Sequence, residues 1–125
     1  MILDTNAVSA VFNGEPTIRD VLSSEPRHHL PVPVLGEYRY GLKRSRQRKR
    51  LALLIDTLVL ESIVLALDEQ TSTAYADVRD ELRRVGRPIP ENDVWIAALA
   101  RQHELPVVSR DRHFDAVRGV ERLSW

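Results

Sequence analysis

Cysteine is absent from the chain, which excludes disulfides and thiolate metal sites and makes the cytoplasm the expected location. No apolar run approaches the roughly 20 residues that a membrane-spanning helix needs. No basic segment precedes the short apolar start, and Asp4 interrupts it, so an export signal is not expected. An excess of positive charge is also missing: Lys and Arg total 18, and so do Asp and Glu. Bulk charge therefore cannot draw nucleic acid to this protein, and any such binding must rest on a local basic patch. There are no repeats, low-complexity stretches or linkers. A chain of 125 residues with 43% apolar content suits a single domain, 1–125, with one core.

What is present is an alternation of short apolar runs with longer helical patterns. Met1, Ile2 and Leu3 run straight into Asp4, Thr5 and Asn6, the pattern of a buried strand that ends in polar, helix-starting residues. Helices are expected over residues 7–12 and 16–22, then a strand over 28–32 kept short by Pro31 and Pro33. A helix over 34–42 and a second over 51–58 form a hairpin joined by the basic stretch 43–50. A strand over 62–67 follows. Asp68 caps a helix running to Val85, and Gly86 stops it. A helix over 93–103 carries the small-residue stripe Ile96, Ala97, Leu99 and Ala100. A strand over 106–109, a helical turn within 110–117 and an edge strand over 120–125 complete the chain. This alternation predicts an α/β fold with a mostly parallel central sheet covered by helices on both faces.

In such a sheet, strand ends and the helix starts that follow them converge on one edge, where ligands bind. Asp4 ends the first strand, and Asp111 follows the strand that ends in Ser109. Glu37 lies one turn into the helix after the second strand, and Asp93 opens the helix with the small-residue stripe. Taken singly, Asp93 also fits a helix cap, Glu37 a solvated margin and Asp111 an ion pair with Arg110 or Arg112. Together they would place four carboxylates in one cleft, where like charges repel unless a cation offsets them. With no cysteine and no paired histidines, the donor set favours a hard, oxygen-preferring ion such as Mg²⁺ or Mn²⁺. Such ions activate water and stabilise displacement at phosphorus.

The run Leu3-Asp4-Thr5-Asn6, Glu37 with Gly41 after it, Asn92-Asp93-Val94-Trp95-Ile96-Ala97-Ala98, and Ser109-Arg110-Asp111-Arg112-His113-Phe114 span the whole chain. In that order and spacing the chain resembles the PIN-domain ribonucleases, specifically the VapC toxins of VapBC toxin–antitoxin pairs. The resemblance implies an α/β/α sandwich, Mg²⁺ or Mn²⁺ held by Asp4, Glu37, Asp93 and Asp111 as catalytic ligands, and endonucleolytic cleavage of RNA. It also implies a small antitoxin partner and a homodimer. Thr5, Asn6 and Ser109 would orient the acids or a water. Tyr38 departs from the pattern, since the family more often has an aliphatic residue after the glutamate; this bears on packing. Asp115 is an alternative to Asp111 as fourth acid, though it reads as a surface residue.

Arg39, Lys43, Arg44, Arg46, Arg48, Lys49 and Arg50 form the one basic cluster. It is either a solvated turn or a source of phosphate contacts that draw RNA toward an acidic cleft. His113 could touch phosphate, with a solvent-facing or packing role as the plainer reading. Trp95 and Trp125 read as core or interface residues. Two other functions compete. A phosphatase of the haloacid dehalogenase type would use Asp4 as nucleophile, but it wants an acid where Asn6 stands. A PIN-like module that only binds RNA or protein would not need all four acids.

Overall fold

The computed structural model describes all of residues 1–125. Five short strands form one sheet in the order β3-β2-β1-β4-β5: β1 Ile2–Leu3, β2 His29–Pro31, β3 Ile63–Leu65, β4 Val107–Val108 and β5 Arg122–Leu123. Every pairing is parallel. The fold class is therefore the expected α/β one, and β5 is the expected edge strand.

The central strand β1 is buried on both sides, which is why it reads as an uninterrupted apolar run. The helices are α1 Thr5–Phe12, α2 Pro16–Leu22, α3 Val32–Leu42, α4 Arg48–Glu61, α5 Glu69–Arg84 and α6 Glu91–His103, with a 3₁₀ turn at Arg112–Ala116. Successive crossovers run outward from β1 to β3, and one long connection returns from β3 to β4. The right-handed rule for parallel crossovers places these two sets of helices on opposite faces. The chain leaves β1 toward β2 and leaves β4 toward β5, in opposite directions along the sheet. Their carboxyl ends therefore diverge and leave a crevice between β1 and β4.

The helix over Val32–Leu42 begins two residues earlier than expected. Pro33 tolerates a first-turn position because no hydrogen bond is lost there, and β2 stops at Pro31. The expected start of α4 also shifts: residues Lys43 to Gln47 turn, and Arg48 to Arg50 already lie in the helix. Asp68 and Thr71 form a reciprocal capping box at the head of α5, and Gly86 follows it with φ +65°. The small-residue stripe of α6 is fully buried, with Ile96, Ala97, Ala98 and Leu99 all inaccessible, and α6 packs along α5. Tyr38 is 8% exposed and meets Phe12 edge-on, with ring centres 5.5 Å apart, so the departure from an aliphatic residue is absorbed in the core.

No helix is long and apolar enough to cross a membrane.

Candidate active site

The crevice at the carboxyl edge of β1 and β4 is a cleft of about 460 Å³ whose walls include Asp4, Glu37, Asp93 and Asp111. Register explains why Asp4 is here. Leu3 pairs with Val108, so Asp4 lies beside Ser109, just beyond the last paired residues of both strands. Its amide still donates to the Val108 carbonyl at 3.2 Å.

Asp4 is only 5% exposed, and its carboxylate is fully partnered. One oxygen accepts from the Thr5 amide at 2.7 Å, which also caps α1. The other accepts from the Ser109 hydroxyl at 2.6 Å and from the Asn6 side-chain amide at 2.9 Å. Asn6 also donates to Ser109 at 3.0 Å and accepts from the Arg110 amide at 3.2 Å. Asn6 thus knits together the ends of β1 and β4. It is an amide spent on holding Asp4, with no proton to transfer, which weighs against the phosphatase alternative.

Glu37 reaches the cleft from α3. It accepts from the Thr5 hydroxyl at 3.1 Å and from the Asn92 side chain at 3.4 Å. Asp93 sits in the first turn of α6, one residue beyond Asn92, where the helix N-terminus favours negative charge. Asp111 follows β4, caps the 3₁₀ turn by accepting from the His113 amide at 3.0 Å, and donates its own amide to Ser109 at 2.9 Å. Neither Arg110 nor Arg112 pairs with Asp111, so the surface ion pair considered for it does not form. Asp115 is bound instead by Nε and Nη2 of Arg122, at 2.6 and 3.0 Å, and does not line the cleft.

His113 is solvent-facing, as its plainer reading had it, and it does more than that. Its Nδ1 lies 2.9 Å from Asp93 and 2.9 Å from Asp111, so it bridges two acids. Asp93, Asp111 and His113 each offer a donor atom within 4.8 Å of the other two.

The charges are strained, in a consistent direction. Burial pushes Asp4 above its ordinary carboxylate range, against the hydrogen bonds from Ser109 and Thr5, and the charges of Glu37 and Asp111 add to the rise. Burial likewise raises Asp93; the His113 bond opposes this, while Asp4 and Asp111 reinforce it. His113 is raised in turn by its bond to Asp93 and by both acids. Asp4 and Asp93 thus feel the other acids around them, and no Lys or Arg forms an ion pair with any of the four. Arg110, the one basic side chain in the cleft wall, is paired to Glu15 and lies over the Trp125 ring, 4.5 Å from its centre. A set of carboxylate oxygens whose one basic partner is the imidazole of His113 fits a hard divalent ion.

Sequence reasoning did not find Glu15 or Trp125 as parts of this neighbourhood. Asn92 and Arg110 stood beside Asp93 and Asp111 in the motifs, but their partners Glu37 and Glu15 were not foreseen. Of the basic cluster, Arg39 pairs with Asp56 of α4 at 2.9 Å on the exposed surface; the other basic residues form no ion pair. Trp95 stacks on Tyr75 with ring centres 3.9 Å apart, consistent with a packing role.

A carboxylate cleft at the switch point of a five-stranded parallel sheet is the arrangement of a PIN domain. The family model for that domain matches residues 1–120, and the chain belongs to the PIN-domain family. It is 29% identical to a tRNA(fMet)-specific endonuclease VapC of Shigella flexneri, over 99% of this chain and 96% of that protein. It is 30% identical to the ribonuclease VapC5 of Mycobacterium tuberculosis, over 95% of this chain and 88% of that one. In three dimensions it resembles the DNA-bound VapBC structure from Salmonella typhimurium, with a TM-score of 0.89 at 28% identity, covering 99% of this chain and 96% of that one.

Proposed function

We propose that this chain is a Mg²⁺- or Mn²⁺-dependent endoribonuclease, the toxin of a type II toxin–antitoxin pair. The observation that carries this is the convergence of Asp4, Glu37, Asp93 and Asp111 on one cleft without a Lys or Arg partner. Asp4, Glu37, Asp93 and Asp111 would hold the ion, which when bound supplies Lewis-acid stabilisation of phosphate charge and a more acidic water.

The rest of the chemistry belongs to the chain. Thr5, Asn6 and Ser109 fix both oxygens of Asp4, so its direction is set before substrate arrives. Thr5 and Asn92 hold Glu37 from two other elements. His113 keeps Asp93 and Asp111 together and, when protonated, shields them from each other. Lys43, Arg44 and Arg46 supply positive charge through which RNA phosphates can approach an otherwise repelling site.

Membership among VapC ribonucleases supports an RNA substrate. The likeness to VapBC assemblies supports a small antitoxin partner, and we extend the homodimer of the family to this chain as well. A module that only binds RNA would make the acids dispensable.

Asp93→Asn tests the reading. The variant should melt as a folded protein yet cleave total RNA in Mn²⁺ at least about 100-fold more slowly than wild type, beyond the range seen when only an outer partner of a metal ligand is lost. Wild-type cleavage should stop on adding a chelator. Undiminished cleavage by Asp93→Asn would remove this acid from the mechanism.

A further inference from the structure

We infer that the groove beside the carboxylate cleft is a nucleobase subsite, seating one base of the RNA next to the phosphate being cut; this rests on the endoribonuclease reading. The groove is about 490 Å³ and lies among α1, α3 and the start of α4. It shares Thr5, Ser9, Asn13 and Glu37 with the cleft, so the two are one continuous depression. Its inner wall is aromatic and aliphatic, formed by Phe12 edge-on to Tyr38 and by Leu42. At its rim Tyr40 is 64% exposed, and the Arg44 guanidinium lies 5.8 Å from the centre of its ring.

An apolar wall with an exposed aromatic ring and a guanidinium close to it is the equipment with which proteins hold an unpaired base. Arg44, free of any acid, suits the phosphate that such a base carries with it. An apolar peptide side chain would use the wall but not the cation. The continuity with the cleft makes it a base that flanks the cut: a strand whose phosphate lies among the four acids can send a neighbouring base along the shared wall into this groove.

The test is a double perturbation of cleavage. Cut sites are first mapped on total RNA with wild-type protein and Mn²⁺. Short single-stranded RNAs spanning one site are then made intact, or abasic at each nucleotide flanking the cut. Tyr40→Ala should lower kcat/KM on the intact RNA by roughly 5- to 100-fold, the range commanded by base stacking. Wild type should lose a similar factor when one particular flanking base is missing. Tyr40→Ala on that same abasic RNA should lose little more, because both changes remove one contact. Mn²⁺ should still stabilise Tyr40→Ala as it does wild type, showing the acid site intact. Full additivity of the two losses, or no loss in Tyr40→Ala, would overturn the subsite. A variant with unchanged cleavage but weakened capture of an antitoxin peptide would assign the groove to protein instead. If wild type cuts no RNA at all, the nuclease reading falls and takes this inference with it.

Discussion

The carboxyl edge of β1 and β4 and the arm formed by α3 and α4 lie side by side and are built on opposite principles. At the edge, Asp4 is buried, Ser109 is fully buried, Asp4, Glu37 and Asp93 each accept a bond from another segment, and Asp111 is held by His113 of the turn it caps. In the arm, α4 buries only Ile55 of its fourteen residues, while Leu53 is 71% and Leu60 87% exposed. The edge is negative and rigid; the arm is positive and loosely tied, with Arg39 and Asp56 its one cross-helix ion pair. A rigid cage suits groups that must keep a fixed geometry around an ion. A half-exposed basic arm suits contacts with a flexible strand, where sequence-independent charge matters more than position.

The contrast predicts where mutations hurt. Ser109→Ala leaves Asp4 buried with one donor missing and should weaken Mn²⁺ affinity or RNA cleavage about 10- to 100-fold, measured by metal titration and initial rates. An effect under twofold would mean that the edge is less rigid than its hydrogen bonds imply. Neutralising Lys43, Arg44 and Arg46 together should reduce RNA affinity about tenfold near physiological salt. It should also flatten the dependence of binding on salt by about 2 log units per decade, since each single-strand phosphate contact contributes roughly 0.7. An unchanged slope would make the arm a bystander.

The pH response should follow the acids. Asp4 and Asp93 have raised folded pKa values, so the stability they contribute is full below the ordinary carboxylate pKa and is lost as pH rises through the folded values. At neutral pH the metal-free fold therefore carries their ionised charge at a cost, which a bound cation offsets. Protons compete for the same oxygens, and protonated His113, also raised, repels a cation. The rise in melting temperature caused by Mn²⁺ should shrink as pH falls from about 8 to about 6, because the acids hold His113 above the ordinary imidazole value and it becomes charged over that span. A constant rise would disconnect these groups from the ion. The smallest effect is expected at Leu60: Leu60→Ala should change stability by no more than about 0.5 kcal/mol by denaturant unfolding, because the side chain is already in water.

The edge was legible in the sequence because it is local. A strand that is buried on both faces must be apolar throughout, so the first acid after Leu3 or after Val108 has to lie at the sheet's end. The helical stripe from Ile96 to Ala100 likewise fixed which end of α6 faced the crevice. The ties across the cleft were not legible, because they join distant segments: Asn92 to Glu37, His113 to Asp93, and Glu15 to both Arg110 and Trp125. Asp111 lies two residues from His113, but nothing local says that the same ring will also reach Asp93, twenty residues away. The same limit applies to Arg39, whose pairing with Asp56 on the next helix could not be read from its place in a basic run.

The central claim is that four carboxylates act as one ion site. Thermal unfolding with increasing Mn²⁺ tests it directly, in wild type and in Asp4→Asn, Glu37→Gln, Asp93→Asn and Asp111→Asn. A saturable rise in melting temperature for wild type, lost or strongly weakened in each single variant, is the expected result. No rise in wild type, or a rise of wild-type size and midpoint in any of the four, would contradict it.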